Sequence, residues 1–284
     1  MIPKVIHYCW FGRNPLPSLA ERCIESWKQH CPDYEFVLWN EDNFDLNCCD
    51  FIREAYAEKK WAFVSDAARL FIIYEHGGVY LDTDVELRRS LDDILSSNSF
   101  FYGIETQTIA RKHLKTAAVN TGLGFGAVKY HPTVEAMLDM YSGVHFSQNG
   151  VLDMTPCPQK NSAALRAFGF TGEDRIYQFL GGTIYPSEYF CPQEHMTGVQ
   201  HYGKNTVSVH HYSESWVTPR VKYWMELYQK YKQYLPDRVS HYLASYFSYI
   251  VFDGFFKGHM ELLKMLRHKI RQKFSAHKQE NRRR

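Results

Sequence analysis

No Cys-x-x-Cys spacing occurs in this chain, so Cys9, Cys23, Cys31, Cys48, Cys49, Cys157 and Cys191 give no support to a structural zinc site. Seven cysteines are also an odd number, thinly spread over 284 residues, which excludes a disulfide scaffold. Net charge is nearly absent: 33 Lys and Arg against 31 Asp and Glu leave +2, and with 45% apolar residues this excludes disorder for most of the chain. Long apolar runs are missing too. The longest, towards the C-terminus, is broken by His241, Ser245, Ser248 and Asp253, which argues against a transmembrane span. The opening Met1-Ile2-Pro3-Lys4-Val5-Ile6-His7 lacks the charged-then-apolar start of a signal peptide, so a reducing, cytoplasmic setting is expected. No internal repeat is visible.

What charge there is lies unevenly. Residues 216–284 hold 15 Lys and Arg against 5 Asp and Glu, while residues 1–215 hold 18 against 26. An acidic body with a basic, Tyr- and Phe-rich extension calls for an anionic partner at the extension. Leu263, Leu266, Ile270 and Phe274 fall at helical spacing among Lys264, Arg267, Lys269, Arg271 and Lys273, as in a basic amphipathic helix lying on an anionic bilayer. The expected division is therefore a catalytic-sized domain over 1–216 and a helical extension over 217–284.

Strand and helix signals alternate in the first third. Val5–Phe11 is an apolar run closed by Gly12, and Glu35–Trp39 is a second strand. Between them, Ser18 and Glu21 have capping-box spacing, with Cys23 and Trp27 facing inward. Asp50 is placed as the cap of a short helix through Ala57. Trp61–Glu75 reads as a longer helix ended by Gly77-Gly78, and Val79–Leu81 as a third strand. Strands separated by helices predict a mostly parallel sheet covered on both faces. Further on, Ser99–Ile104, Gly122–Val128 and Thr206–His211 read as strands and Pro132–Tyr141 as a helix. Residues 142–162, rich in Gly, Ser, Asn and Pro, read as a long loop. Lys222–Leu235 and Val239–Phe256 are the aromatic segments of the extension.

Asp82-Thr83-Asp84 stands where the third strand ends, the edge at which open α/β sheets bind ligands. Two carboxylates spaced by two along a strand share a face, and their hard oxygens suit Mg²⁺ or Mn²⁺ carrying a diphosphate. Asp66 and Arg69 are i,i+3 neighbours on a helix that is apolar on almost every side, so the pair is expected to be buried with further partners.

Ser65-Asp66-x-x-Arg69 followed by Tyr74-x-x-Gly77-Gly78-Val79-Tyr80-Leu81-Asp82-Thr83-Asp84 resembles the sugar-nucleotide site of DXD glycosyltransferases, specifically glycosyltransferase family 32. Ile2–Gly12 is similar to that family's first strand, and His210-His211-Tyr212-Ser213-Glu214-Ser215-Trp216 to the ending of its bacterial members. The resemblance implies a GT-A fold: a Rossmann-like, nucleotide-sugar-binding, mixed and mostly parallel sheet flanked by helices, here followed by the basic extension. It implies a UDP-sugar donor held through Mn²⁺ or Mg²⁺, with retention at the anomeric carbon. Asp84 would ligate the metal directly, and Asp82 would share it through water while touching ribose or sugar hydroxyls. Asp66 and Arg69 would hold the donor sugar, with Arg69 near the diphosphate. Trp10 would stack on the base, Asn120 would approach the sugar or acceptor, and Trp216 would close over the leaving diphosphate. Either His210 or His211 would complete the metal site; neighbours on a strand face opposite ways, so one of them is expected to do so. The implied acceptor is a growing surface glycan carried on a polyprenyl diphosphate at the inner membrane face, met through residues 217–284. Thr155-Pro156-Cys157-Pro158 departs from the Thr-Gly-Pro of many relatives on the acceptor side.

Two other classes compete. A haloacid-dehalogenase-type phosphatase also uses an Asp-x-Asp after an apolar strand, but its nucleophile belongs on the first strand, and Glu86 stands where it has Thr. A non-catalytic carbohydrate- or nucleic-acid-binding protein would use the basic extension, but no nucleic-acid motif is present and the body is acidic.

Overall fold

The computed structural model describes residues 1–109, 114–193, 202–213, 219–255 and 259–260. It divides into two compact units, residues 1–216 and 217–284. The first third of unit 1 runs β1 (Val5–Cys9), α1 (Ser18–His30), β2 (Glu35–Trp39), α2 (Asp50–Ala57), α3 (Trp61–His76), β3 (Gly78–Tyr80) and β4 (Val85–Leu87). Next come α4 (Asp92–Ser97), β5 (Phe100–Ile109), β6 (Leu114–Val119), β7 (Phe125–Ala127) and α5 (Pro132–Asp139). The unit ends with β8 (Ser147–Gln148), β9 (Val151–Leu152), α6 (Cys157–Leu165), β10 (Tyr177–Phe179), β11 (Gly182–Tyr185), α7 (Ser187–Phe190) and β12 (Ser208–His210). Unit 2 contains α8 (Pro219–Lys232) and α9 (Asp237–Asp253), and no described helix is long and apolar enough to cross a membrane.

The central sheet has the order β10-β11-β5-β7-β3-β1-β2, with β6 pairing β5. β2, β1, β3, β5 and β11 run one way, and β7, β6 and β10 oppose them. The sheet is thus mixed with most strands co-directional, and β1 and β3 end at the edge where β7 begins. Alternation along the strands sorts side chains onto two cores. Tyr80, Phe100, Tyr102 and Phe125 pack with α2, α3 and α5, while Ile6, Val79, Leu81 and Phe101 pack with α1 and α4.

Two contacts lock the second layer. Trp27 Nε1 donates to Val85 O at 2.7 Å, and Leu87 N donates to Ser26 Oγ at 3.0 Å, fixing α1 on β4. Behind β3, the chain turns out of α3 through Gly77 and Gly78, at φ 65° and 99°. A Cβ on Gly78 would lie 2.8 Å from Val5 O and 3.1 Å from the His7 ring, so both its backbone angle and the close approach of β1 require glycine.

Several local expectations change. Ser18 and Asp50 are the first helical residues rather than caps; Pro17 and Cys49 hold the cap positions, and no side chain caps either helix. Pro17 already supplies the extended dihedral that a helix entry needs. The loop expected over 142–162 contains the β8–β9 hairpin and the start of α6. Pro156 is the cap of that helix, where a proline-rich stretch initiates a helix rather than a loop. β4, β6, β10 and β11 have no counterpart among the strands expected from the sequence. The expected helix around 263–274 lies outside the described residues.

His7 makes the fold sensitive to acid. Trp39 Nε1 can only donate, so His7 Nδ1 accepts at 3.0 Å and Nε2–H donates to Gly77 O at 3.0 Å. Burial pushes this imidazole down to about 4, below its unfolded value near 6.5. Between those values the unfolded chain binds the extra proton, so stability falls as pH drops through that window, by up to roughly 3 kcal/mol. Thermal melts across the window should show His7→Gln with a flatter acid limb than the parent chain; parallel limbs would contradict the assignment.

Candidate active site

Asp82-Thr83-Asp84 occupies the turn joining β3 to β4, not a strand. The ladder runs one residue past β3, Leu81 N donating to His7 O at 3.1 Å, and Val85 N then closes the turn on Asp82 O at 3.0 Å. Strand alternation is therefore not what brings the carboxylates together. They converge because the turn bends around them and because β12 pairs with β4, His210 opposite Val85.

That pairing settles which histidine faces the motif. His210 Nε2 lies 3.2 Å from Asp84 Oδ1, whereas His211 Nε2 lies 2.9 Å from Glu86 Oε2, on the other side of the strand. Asp82, Asp84 and His210 each place one ligand atom within 4.8 Å of the others. Among the described residues, His210 Nδ1 is buried without a hydrogen-bond partner, an unspent donor–acceptor position in the cluster. Two hard carboxylates and an imidazole are a donor set that fits Mn²⁺ or Mg²⁺.

Asp84 is held from three sides. Ser213 N donates to its Oδ2 at 2.8 Å, His211 N to its backbone oxygen at 2.9 Å, and His210 faces Oδ1. Burial alone would raise its pKa, but His210 and the Ser213 amide outweigh burial and keep the carboxyl well below the usual range. Burial would likewise lower His210, and Asp84 reverses the direction. Asp82 is less compensated: burial pushes it up to about 6, with Arg69 pulling the other way.

Arg69 is the hub. Its side chain is 3% exposed, with Nη2 at 2.7 Å from Asp66 Oδ1 and 3.1 Å from Asp82 Oδ1. Nε donates to Ser65 O at 3.1 Å and Nη1 to Thr121 Oγ1 at 3.5 Å, while the guanidinium lies 4.9 Å from the Tyr80 ring centre. Tyr80 also donates to Asp82 Oδ1 at 3.1 Å. All three guanidinium nitrogens are thus engaged within the protein.

Asn120 is likewise engaged. Its Nδ2 donates to Glu105 Oε2 at 2.6 Å, and its Oδ1 accepts from Gly122 N at 2.7 Å with the Cys157 thiol 3.8 Å away. The side chain thus fixes the 120–122 loop. A Cβ at Gly122 would fall 2.4 Å from Asp82 Oδ2, so the loop backbone packs directly on the carboxylate.

Trp10 follows β1, half-buried, its indole N–H on Asn14 O at 2.6 Å. The structure therefore brings Asp66, Arg69, Asp82, Asp84 and His210 into one network beside Asn120. His211 stands apart with Glu86, and Trp216 lies outside the described residues. Glu105, Thr121 and Ser213 were not anticipated. Ser213 adjoins the His210-His211 pair and could have been found there; Glu105 carries no local signal.

With this geometry in place, residues 17–101 match the family model of the glycosyltransferase sugar-binding region containing DXD motif. Inositol phosphoceramide mannosyltransferase 1 of Schizosaccharomyces pombe is 33% identical over 110 residues, 35% of this chain and 33% of that protein. A mannosyl phosphorylinositol ceramide synthase of Saccharomyces cerevisiae is 31% identical over 144 residues, 46% of this chain and 33% of its own. The match thus spans about a third of these relatives' length. Among solved structures, PaToxG glycosyltransferase superposes with a TM-score of 0.45 at 18% identity, covering 59% of this chain and 70% of its own. Over residues 17–101, then, this chain is similar to the sugar-binding region of the DXD-motif glycosyltransferases.

Proposed function

We propose that this protein transfers a hexose or N-acetylhexosamine from a nucleotide diphosphate sugar, through a divalent-cation site at Asp82, Asp84 and His210, to a lipid-linked acceptor. The carrying observation is the convergence of those three side chains at the sheet edge where β1 and β3 end, within a DXD sugar-binding region. When bound there, Mn²⁺ or Mg²⁺ supplies positive charge against the departing nucleoside diphosphate. Asp84, kept ionised by the Ser213 amide and His210, is the direct ligand. Asp82, whose side chain is a quarter exposed, shares the site and faces the donor. Asp66, paired with Arg69 and beside the Cys157 thiol, keeps the role expected of it towards the sugar hydroxyls. Arg69, bonded to both Asp66 and Asp82, positions the two carboxylates beside the diphosphate it is expected to approach. Trp10 offers an indole face to the base. Asn120 acts by holding the 120–122 loop against Asp82, and Trp216 keeps the role expected of it over the leaving diphosphate.

The fission-yeast relative's name specifies mannosyl transfer to inositol phosphoceramide, a lipid with an inositol phosphate headgroup. That supports a lipid-borne acceptor, adds mannose to galactose, glucose and N-acetylglucosamine as sugars to test, and accords with a peripheral place at an anionic membrane face. The experiment is a panel of UDP- and GDP-linked hexoses, read as nucleoside diphosphate release with and without Mn²⁺. One donor should be hydrolysed in a metal-dependent way. Release from none of them, or release indifferent to chelator, would overturn the reading.

A further inference from the structure

An imidazole that holds a metal ion through one nitrogen carries its proton on the other, and that second N–H is ordinarily fixed by a carboxylate, a carbonyl or water. Among the described residues His210 has no such fixture: Nε2 faces Asp84 Oδ1 at 3.2 Å, and the buried Nδ1 has no hydrogen-bond partner. The ring is held in another way. Tyr212 sets its own ring against it, with centroids 4.3 Å apart and planes at 79°, an edge-to-face pair.

Tyr212 is in turn tied to the body of unit 1. Its hydroxyl shares a hydrogen bond with Cys191 Sγ at 2.9 Å, and Cys191 is buried, its backbone N–H closing α7 on Ser187 O at 2.7 Å. From the same helix, Tyr189 O accepts from Val207 N at 2.7 Å, directly before β12. The ring that faces His210 therefore stands on a packed segment. The backbone of Tyr212 is as specific as its side chain. Its φ is 48°, in the left-handed region that a non-glycine residue seldom enters. That turn has a visible product: His211 N meets Asp84 O at 2.9 Å and Ser213 N meets Asp84 Oδ2 at 2.8 Å, so the chain grips Asp84 on both sides of Tyr212. Dihedrals of this kind persist where the surroundings over-determine them, commonly at functional sites. Asparagine or glycine would enter the turn more easily, but either would forfeit the ring contact with His210.

We infer that Tyr212 is a positioning residue of the divalent-cation site: its ring, anchored through Cys191, fixes the His210 imidazole in its orientation towards Asp82 and Asp84. The inference deepens the divalent-cation reading and rests on it. An aromatic ring here does for the imidazole what a hydrogen-bonding carboxylate or carbonyl does in other metal sites.

The test is Mn²⁺ binding to the full chain, followed by electron paramagnetic resonance in the presence of UDP, with a thermal melt of each variant. Tyr212→Asn suits the left-handed backbone and removes the ring; it should weaken Mn²⁺ binding about tenfold with the fold retained. Tyr212→Phe keeps the ring and should bind close to the parent. If Tyr212→Asn melts early, Tyr212→Leu refills the space without a ring and should show the same loss. In a His210→Ala background the Tyr212→Asn change should cost nothing further, because a residue that acts through His210 then has nothing to orient. A full additional loss in that background would make Tyr212 a general support of the loop and overturn the inference. So would parent-like binding by Tyr212→Asn, or a loss in Tyr212→Phe as large as in Tyr212→Asn. A parent chain that binds no Mn²⁺ would instead sink the metal site itself, and this role with it.

Discussion

Asp84→Asn should abolish metal-dependent transfer, lowering it by about a hundredfold or more, while the chain stays folded. The substitution keeps an oxygen for the Ser213 amide, so the loop carrying His210 is still held. It removes the one carboxylate whose surroundings favour the charged form most strongly, and with it the direct ligand. Nucleoside diphosphate release against Mn²⁺ concentration, with a thermal melt as the folding control, reads both outcomes. Near-normal turnover in a folded variant would remove Asp84 from the metal site.

Arg69→Ala should do something different: unfold or strongly destabilise the chain. Arg69 is buried between Asp66 and Asp82, and its loss strands two carboxylates against the Tyr80 ring in a poorly hydrated site. Breaking a buried pair by removing one partner costs about 3–5 kcal/mol, a large share of a domain's stability. The double change Arg69→Met with Asp66→Leu, which leaves one fewer stranded charge, should recover part of the melting temperature without recovering transfer. An Arg69→Ala chain as stable as its parent would show the pair to be a weak surface contact.

Much of this was legible in the chain because two kinds of signal are local. β1 and β2 are continuous apolar runs, and α3 is apolar on nearly all sides, so strand and buried helix could be read directly. Asp66, Arg69, Asp82 and Asp84 are close in sequence and on one helix–strand unit, so their association needed no tertiary information. Other features needed contacts between distant segments. His210 and His211 are chemically alike in sequence, and only the register of β12 on β4 separates them. Glu105 is one carboxylate in a strand, and its partner Asn120 reaches it through the β5–β6 pairing. α6 was hidden because Pro156 and Pro158 read as loop formers, although proline is favoured in a first helical turn. Strand alternation predicts that Asp82 and Asp84 share a face; in the structure their carboxylates approach one another in a turn instead.

The proposed metal site depends most directly on which histidine completes the carboxylate pair. Mn²⁺ binding followed by electron paramagnetic resonance, in the presence of a nucleoside diphosphate, compares the parent chain with His210→Ala and His211→Ala. The geometry predicts that His210→Ala weakens binding about tenfold or more and that His211→Ala leaves it close to the parent. Loss with His211→Ala alone, or binding unchanged in both variants, would contradict a metal site at Asp82, Asp84 and His210.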